Sequence, residues 1–151
     1  MQMTRSIPTS TANRFRMHGV TLIELMIVIV VIGILASIAV PSYRNYVTRA
    51  QRTDAMSALL RVAAAQEKFY LQNNTYAATG FLDDAPPAGL GINGTENGWY
   101  TLAITSTDLT RNFTVTATPV AGGAQATDTH CASFSLTSAG AKGATNTDCW
   151  R

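Results

Sequence analysis

Hydrophobic positions along this chain fall into three regimes. From Val20 to Val40 nearly every position is apolar, and Glu24 is the one charge. A helix of that length reaches about 30 Å, enough to cross a bilayer core. Being apolar on all sides, it has no face for water and needs lipid or a bundle of like helices. From Tyr43 the spacing becomes helical and one-sided. Ala55, Leu59, Val62, Gln66 and Phe69 share a face, with Met56, Leu60, Ala63 and Tyr70 alongside. This predicts an amphipathic helix over 43–72, ending near Asn73-Asn74, with its arginines on the opposite face as solvent or subunit contacts. Residues 73–98 are dense in Asn, Gly, Pro and Asp and read as a loop with a short helical turn near Phe81. Beyond it the period drops to two. Trp99–Ser106 sets Tyr100, Leu102 and Ile104 on one face, Phe113–Thr118 sets Phe113, Val115 and Ala117, and Ala132–Thr137 sets Ala132, Phe134 and Leu136. Thr107–Asn112, Val120–Thr129 and Ser138–Gly143 read as turns. A long helix on a small, one-sided antiparallel sheet is an α+β arrangement.

Composition sharpens this pattern. The 151 residues make one domain's worth of chain, and only 13% are charged, about half the usual share for a soluble domain. The charge is also unevenly placed. Residues 1–19 carry +3, 20–42 carry −1, 43–72 carry +3 and 73–151 carry −3. The overall +2 therefore rests on the first 19 residues, and without them the chain is −1.

Three uses fit the apolar segment: a cleaved secretory signal, a plain membrane anchor, or an anchor that later becomes the core of a homopolymer. Ser37-Ile38-Ala39 would serve as a cleavage site for the first. Glu24 weighs against it, since an intramembrane carboxylate is expensive unless paired and a disposable signal has no use for one. Its plain alternative is a residue snorkelling at the membrane edge.

Gly19-Val20-Thr21-Leu22-Ile23-Glu24-Leu25-Met26, preceded by a basic leader and followed by the apolar run and Pro41, resembles the class III signal of type IV pilins and pseudopilins. The elements stand in register over about residues 14–46. Two features depart from the family's habit: Val occupies the first mature position where Phe is usual, and the 19-residue leader is long. The resemblance implies that a prepilin peptidase cuts between Gly19 and Val20 and methylates the new amine of Val20. It implies a pilin fold and partition into a leader (1–19), a transmembrane and filament-core helix (20–42), and a globular domain (43–151). Glu24 then pairs with a neighbour's terminal amine and fixes the stagger between helices, because paired charges are favoured in an apolar medium. Gly33 and Pro41 are weak points where the helix is expected to loosen within a filament.

Two cysteines, Cys131 and Cys149, lie in the C-terminal part, and a pair in an exported domain reads as a disulfide. The segment ending Asp148-Cys149-Trp150 looks like the C-terminal disulfide region of PilE-type minor pilins. Positive-inside counting chooses no orientation, since Arg44, Arg49 and Arg52 follow the span as closely as the leader's arginines precede it. The cysteines place the C-terminal domain outside the cytoplasm. A metal site at His130, Cys131 and Cys149 falls short of a closed structural zinc set, and Asp83-Asp84 reads as a solvated turn before a calcium site. No nucleophile–base set is visible, and His18 lies in the leader. The sequence therefore predicts no enzyme, no metal and no cofactor. It predicts a minor pilin of a type IV pilus, held in the inner membrane before assembly and extracellular afterwards. Its expected partners are other pilins, the prepilin peptidase and the inner-membrane assembly platform. A type II secretion pseudopilin, or an adhesion or DNA-uptake receptor in the pilus, are the alternatives. The −3 of residues 73–151 argues against nucleic acid as a partner.

Overall fold

The computed structural model describes residues 19–150. One helix, α1, runs Leu22–Asn73. Four strands follow: β1 (Tyr100–Thr105), β2 (Thr114–Pro119), β3 (Phe134–Thr137) and β4 (Lys142–Ala144). They form one sheet in the order β1-β2-β3-β4, with every neighbouring pair antiparallel. Short 3₁₀ turns occupy Thr79–Phe81, Ala124–Thr127 and Thr147–Trp150. The chain divides into two compact units between Val40 and Pro41.

The second unit carries the core. Ala55, Leu59 and Val62 of α1 join Tyr100, Ile104, Val115, Ala117, Phe134 and Leu136 from the sheet, and Phe113 just before β2, in one buried cluster. The strand alternation explains which side faces in. Phe113, Val115 and Ala117 are buried while Thr114, Thr116 and Thr118 are half-buried or exposed, so a one-residue slip would invert the sheet. Gln66, placed on the buried face by its spacing, is fully buried. Its amide both donates to the Ala77 carbonyl and accepts the Ala77 N–H, each at 2.8 Å, which fixes the chain as it leaves the helix. Asn74 takes a left-handed φ of 53° and its N–H closes on Tyr70, ending the helix at the expected place.

Beyond the helix the loop folds on itself. Leu90 and Ile92 return hydrogen bonds to Phe81 and Leu82, and Gly89 is packed so closely that a Cβ would lie 2.6 Å from the Asp84 carbonyl oxygen. The loop also guards the free side of β1. The Thr79 hydroxyl accepts the Ile104 N–H and donates to the Ile104 carbonyl, both at 2.7 Å. The Thr95 hydroxyl repeats this at Tyr100 with distances of 3.3 and 3.4 Å. Exposed edge groups invite another strand, and here side chains occupy them.

Four expectations need correction. Leu60 is 53% exposed, whereas Asp54 and Ala58 take buried places on the helix. Arg52 does not join the solvent face. Its guanidinium reaches into the domain and grips Asp128. Ala132 is exposed and precedes β3, because the strand starts only at Phe134. Ser138–Gly143 is not all turn. Ser138–Ala141 makes the bend, and Lys142–Ala144 returns as β4.

Candidate functional site

Two regions hold the residues that the sequence singles out. The first is the start of α1. Gly19 and Val20 are exposed and precede the helix. Thr21 starts it: the Leu25 N–H bonds the Thr21 carbonyl at 3.1 Å, and the Thr21 hydroxyl accepts the Glu24 N–H at 3.2 Å. Thr21 is thus the N-cap and Glu24 the third helical residue, the spacing of a capping box with the hydroxyl half of it formed. Sequence reading passed over Thr21, although the Thr-x-x-Glu spacing carried that signal. The Glu24 carboxylate is exposed, close to the positive end of the helix dipole, and pairs with no cation among the described residues.

From Val20 to Val40 the large apolar side chains are between 48 and 77% exposed. The helix is long and apolar enough to cross a membrane. Gly33 lies open, with nothing within 4 Å of the place a Cβ would take. Pro41 lies inside α1, which continues through it. Residues 1–18, His18 among them and the greater part of the expected leader, lie outside the described residues.

The second region is the C-terminal end. Cys131 and Cys149 form a disulfide and are buried. Around it, His130 meets Asp148 at 3.0 Å, the Asn146 amide donates to the His130 carbonyl at 2.7 Å, and the Trp150 indole donates to the Gly143 carbonyl at 2.7 Å. Trp150 also stacks edge-on with Phe134, and the Lys142 ammonium sits 5.1 Å from its ring centre. The indole ties the last residues to β4, and the bridge ties them to the segment that leads into β3. The His130 ring nitrogen and both sulfurs lie within 4.8 Å of one another, but the sulfurs are committed to each other and are not thiolate ligands. Asp83 and Asp84 are exposed in the loop.

A buried polar cluster between α1 and the β2–β3 connection has no signature in the spacing of its residues. Arg52 donates through Nε to Asp128 Oδ2 at 2.7 Å and through Nη2 to Oδ1 at 2.9 Å. Gln125 and the Cys131 N–H also donate to this carboxylate. Tyr100 is nearby and almost fully buried. Burial pushes its phenol up to about 12, with the Asp128 and Asp54 carboxylates adding to the shift and Gln125 and Arg52 opposing it. This cluster positions the domain. It brings no nucleophile together with a base.

Comparison with known proteins covers the start of α1 and the chain as far as residue 135, which takes in Cys131 but not Cys149. The family model described as a prokaryotic N-terminal methylation motif matches residues 14–40. The one described as "Type IV minor pilin ComP, DNA uptake sequence receptor" matches residues 41–135. Among similar curated proteins, the fimbrial protein EcpC of Eikenella corrodens is 38% identical over 66% of this chain and 61% of its own length. The type II secretion system core protein G of Pectobacterium carotovorum subsp. carotovorum is 38% identical over 43% of this chain and 42% of its own. A probable minor fimbrial protein of Dichelobacter nodosus is 40% identical over 52% and 48%. Each match spans less than two thirds of the relative. A solved type IV pilin from Shewanella oneidensis aligns over 69% of this chain and 98% of its own, at 24% identity and a TM-score of 0.46.

Proposed function

This chain belongs to the type IV minor pilin ComP family, a family of structural pilus subunits, and from that membership we propose that it is a minor pilin incorporated into a type IV pilus. The observation that carries the reading is the match of the globular domain to a minor-pilin model directly after a methylation-motif match. In this reading, residues 1–19 are a leader removed by prepilin peptidase, Val20 is methylated, and residues 20–42 hold the protein in the inner membrane. The domain from residue 43 onward then lies outside the cytoplasm, where its disulfide persists. Assembly moves the apolar helix from lipid into a bundle of pilin helices. Glu24 receives a neighbour's Val20 amine, and its place beside the N-cap holds the carboxylate at the helix end where that amine arrives. Gly33 and Pro41 give the packed helix room to loosen.

Mass spectrometry of sheared surface filaments tests this. The protein should be present at low stoichiometry, beginning at a methylated Val20. An uncut leader, or absence from the filaments, would contradict it. Glu24→Ala should be cleaved normally yet fail to enter filaments.

A second reading, supported by the description of the family, is that the domain binds DNA during uptake. The net charge of residues 73–151 is weaker evidence against this than it first appears. Asp128 is buried and held by Arg52 from outside that stretch, so its charge does not face a ligand. A gel shift at low salt, with specific and scrambled duplexes, checks this reading. No retardation of either would exclude it.

A further inference from the structure

Five basic residues lie between 43 and 72, and the minor-pilin reading uses none of them. Three are engaged or stand further on. Arg52 is held by Asp128, Arg61 donates to the Gly94 carbonyl, and Lys68 lies towards the end of the helix. Arg44 and Arg49 remain. Both are exposed, and neither has a carboxylate in ion-pair range among the described residues. No acid lies between Glu24 and Asp54, and Asp54 is buried against Asn97. On the translocated side of a membrane such a pair is unusual, since short basic segments favour the cytoplasm.

We propose that the first turns of α1 after Pro41 bind anionic phospholipid headgroups, one at Arg44 and another at Arg49, which stand about 140° apart around the helix. The proposal rests on reading residues 20–42 as a membrane span. Arg44 stands about 4.5 Å of helix beyond Pro41 and Arg49 about 12 Å, while the headgroup layer on each side of a bilayer is about 5–8 Å deep. Side chains on a helix lean towards its N-terminus. Arg49 does so visibly: its Nε donates to the Asn45 carbonyl one turn back, at 3.4 Å, leaving both Nη groups for a phosphate. That posture is snorkelling, and it brings the charge into the headgroup layer. Tyr43 and Tyr46 are 69 and 68% exposed in the same turns. Amphipathic rings at this depth are the usual marker of the lipid–water boundary. Beside them, a groove of about 390 Å³ is lined by Tyr43, Arg44, Val47, Thr48, Gln51 and Thr127. Its lining holds a guanidinium, an amide and three hydroxyls, a donor set suited to phosphate oxygens.

The test uses the full chain in nanodiscs of phosphatidylcholine, with and without phosphatidylglycerol, and counts retained lipids by native mass spectrometry. Phosphatidylglycerol should be retained preferentially. Each arginine should contribute about fivefold, so Arg44→Gln with Arg49→Gln should lower the preference roughly 25-fold. Equal retention of both lipids by the native chain would overturn the proposal, as would an unchanged preference in the double variant. If the double variant keeps its lipid but loses filament entry, the arginines are contacts between copies and the proposal fails. Glycerol phosphate titrated into the phosphatidylcholine discs forms a further arm, and binding as tight as that of the lipid would make this a site for free phosphate. Alkaline extraction separates the underlying reading. If carbonate strips the native chain from vesicles, the span itself is wrong and the lipid site falls with it. A chain that stays inserted without lipid preference refutes the lipid site alone.

Discussion

Arg52→Met is the substitution that most directly tests the architecture. The Arg52–Asp128 pair joins α1 to the β2–β3 connection, 76 residues away, with side chains 17 and 5% exposed. Removing the guanidinium leaves a buried carboxylate with only the Gln125 amide and the Cys131 N–H as donors. Breaking a buried pair on one side costs about 3–5 kcal/mol, and the partial exposure of Arg52 favours the lower figure. For a folded unit of this size, about 3 kcal/mol corresponds to a fall in Tm of roughly 12 °C. Thermal melts of the full chain in micelles at pH 7, followed by circular dichroism, would measure it. Arg52→Met combined with Asp128→Leu should recover most of the loss, because an apolar pair carries no stranded charge. The exposed Arg111–Asp108 pair is the control, and Arg111→Gln should not move the melt. A loss under about 1 kcal/mol for Arg52→Met, or a double variant no better than the single, would show that the pair is incidental.

Three further outcomes are expected. Tyr100 titrates above its ordinary value, so its contribution to stability is complete below pH 10 and is lost as pH rises towards about 12. Melts across that window should steepen in the native chain and flatten in Tyr100→Phe; equal pH dependence would remove Tyr100 as the cause. Reducing the Cys131–Cys149 bridge, which closes a separation of 18 residues, should lower stability by about 3 kcal/mol in a denaturant titration, with no change expected in Cys131→Ser on adding reductant. Gly89→Ala should destabilise the 79–92 loop by more than about 1 kcal/mol, beyond the range of an ordinary surface change, because its Cβ meets the Phe81 and Asp84 carbonyl oxygens and Asp84 Cβ, none of which can swing aside. A neutral melt would show that the loop can shift.

Much of the fold was legible because burial imposes a period on the sequence. Phe113, Val115 and Ala117 alternate with threonines and gave β2 directly. Gln66 was placed on the buried face by spacing although its polarity argues otherwise, and the Ala77 backbone accounts for it. The misses share a cause. β4 has three residues, Lys142, Gly143 and Ala144, too few to show a period, and it exists because β3 offers it a partner. Leu60 was assigned inward by neighbouring spacing, yet the buried stripe is narrower than the apolar one. Arg52 and Asp128 look like two surface charges until the fold brings them together. The N-terminal residues Gly19, Val20 and Glu24 were readable as a motif, and the Thr-x-x-Glu spacing that signals the capping role of Thr21 is matched by its hydrogen bond.

The two threonine hydroxyls along β1 have a consequence for crowding. Where sheets of this kind crowd together, open edges favour fusion edge to edge into a fibre that cannot be dismantled. Thr79 and Thr95 occupy the outward N–H and C=O groups of Ile104 and Tyr100, so an incoming strand finds no continuous row of backbone groups to zip against. In the minor-pilin reading proposed above, association is then left to the helices, and a helix that entered from lipid can return to it with its domain still folded.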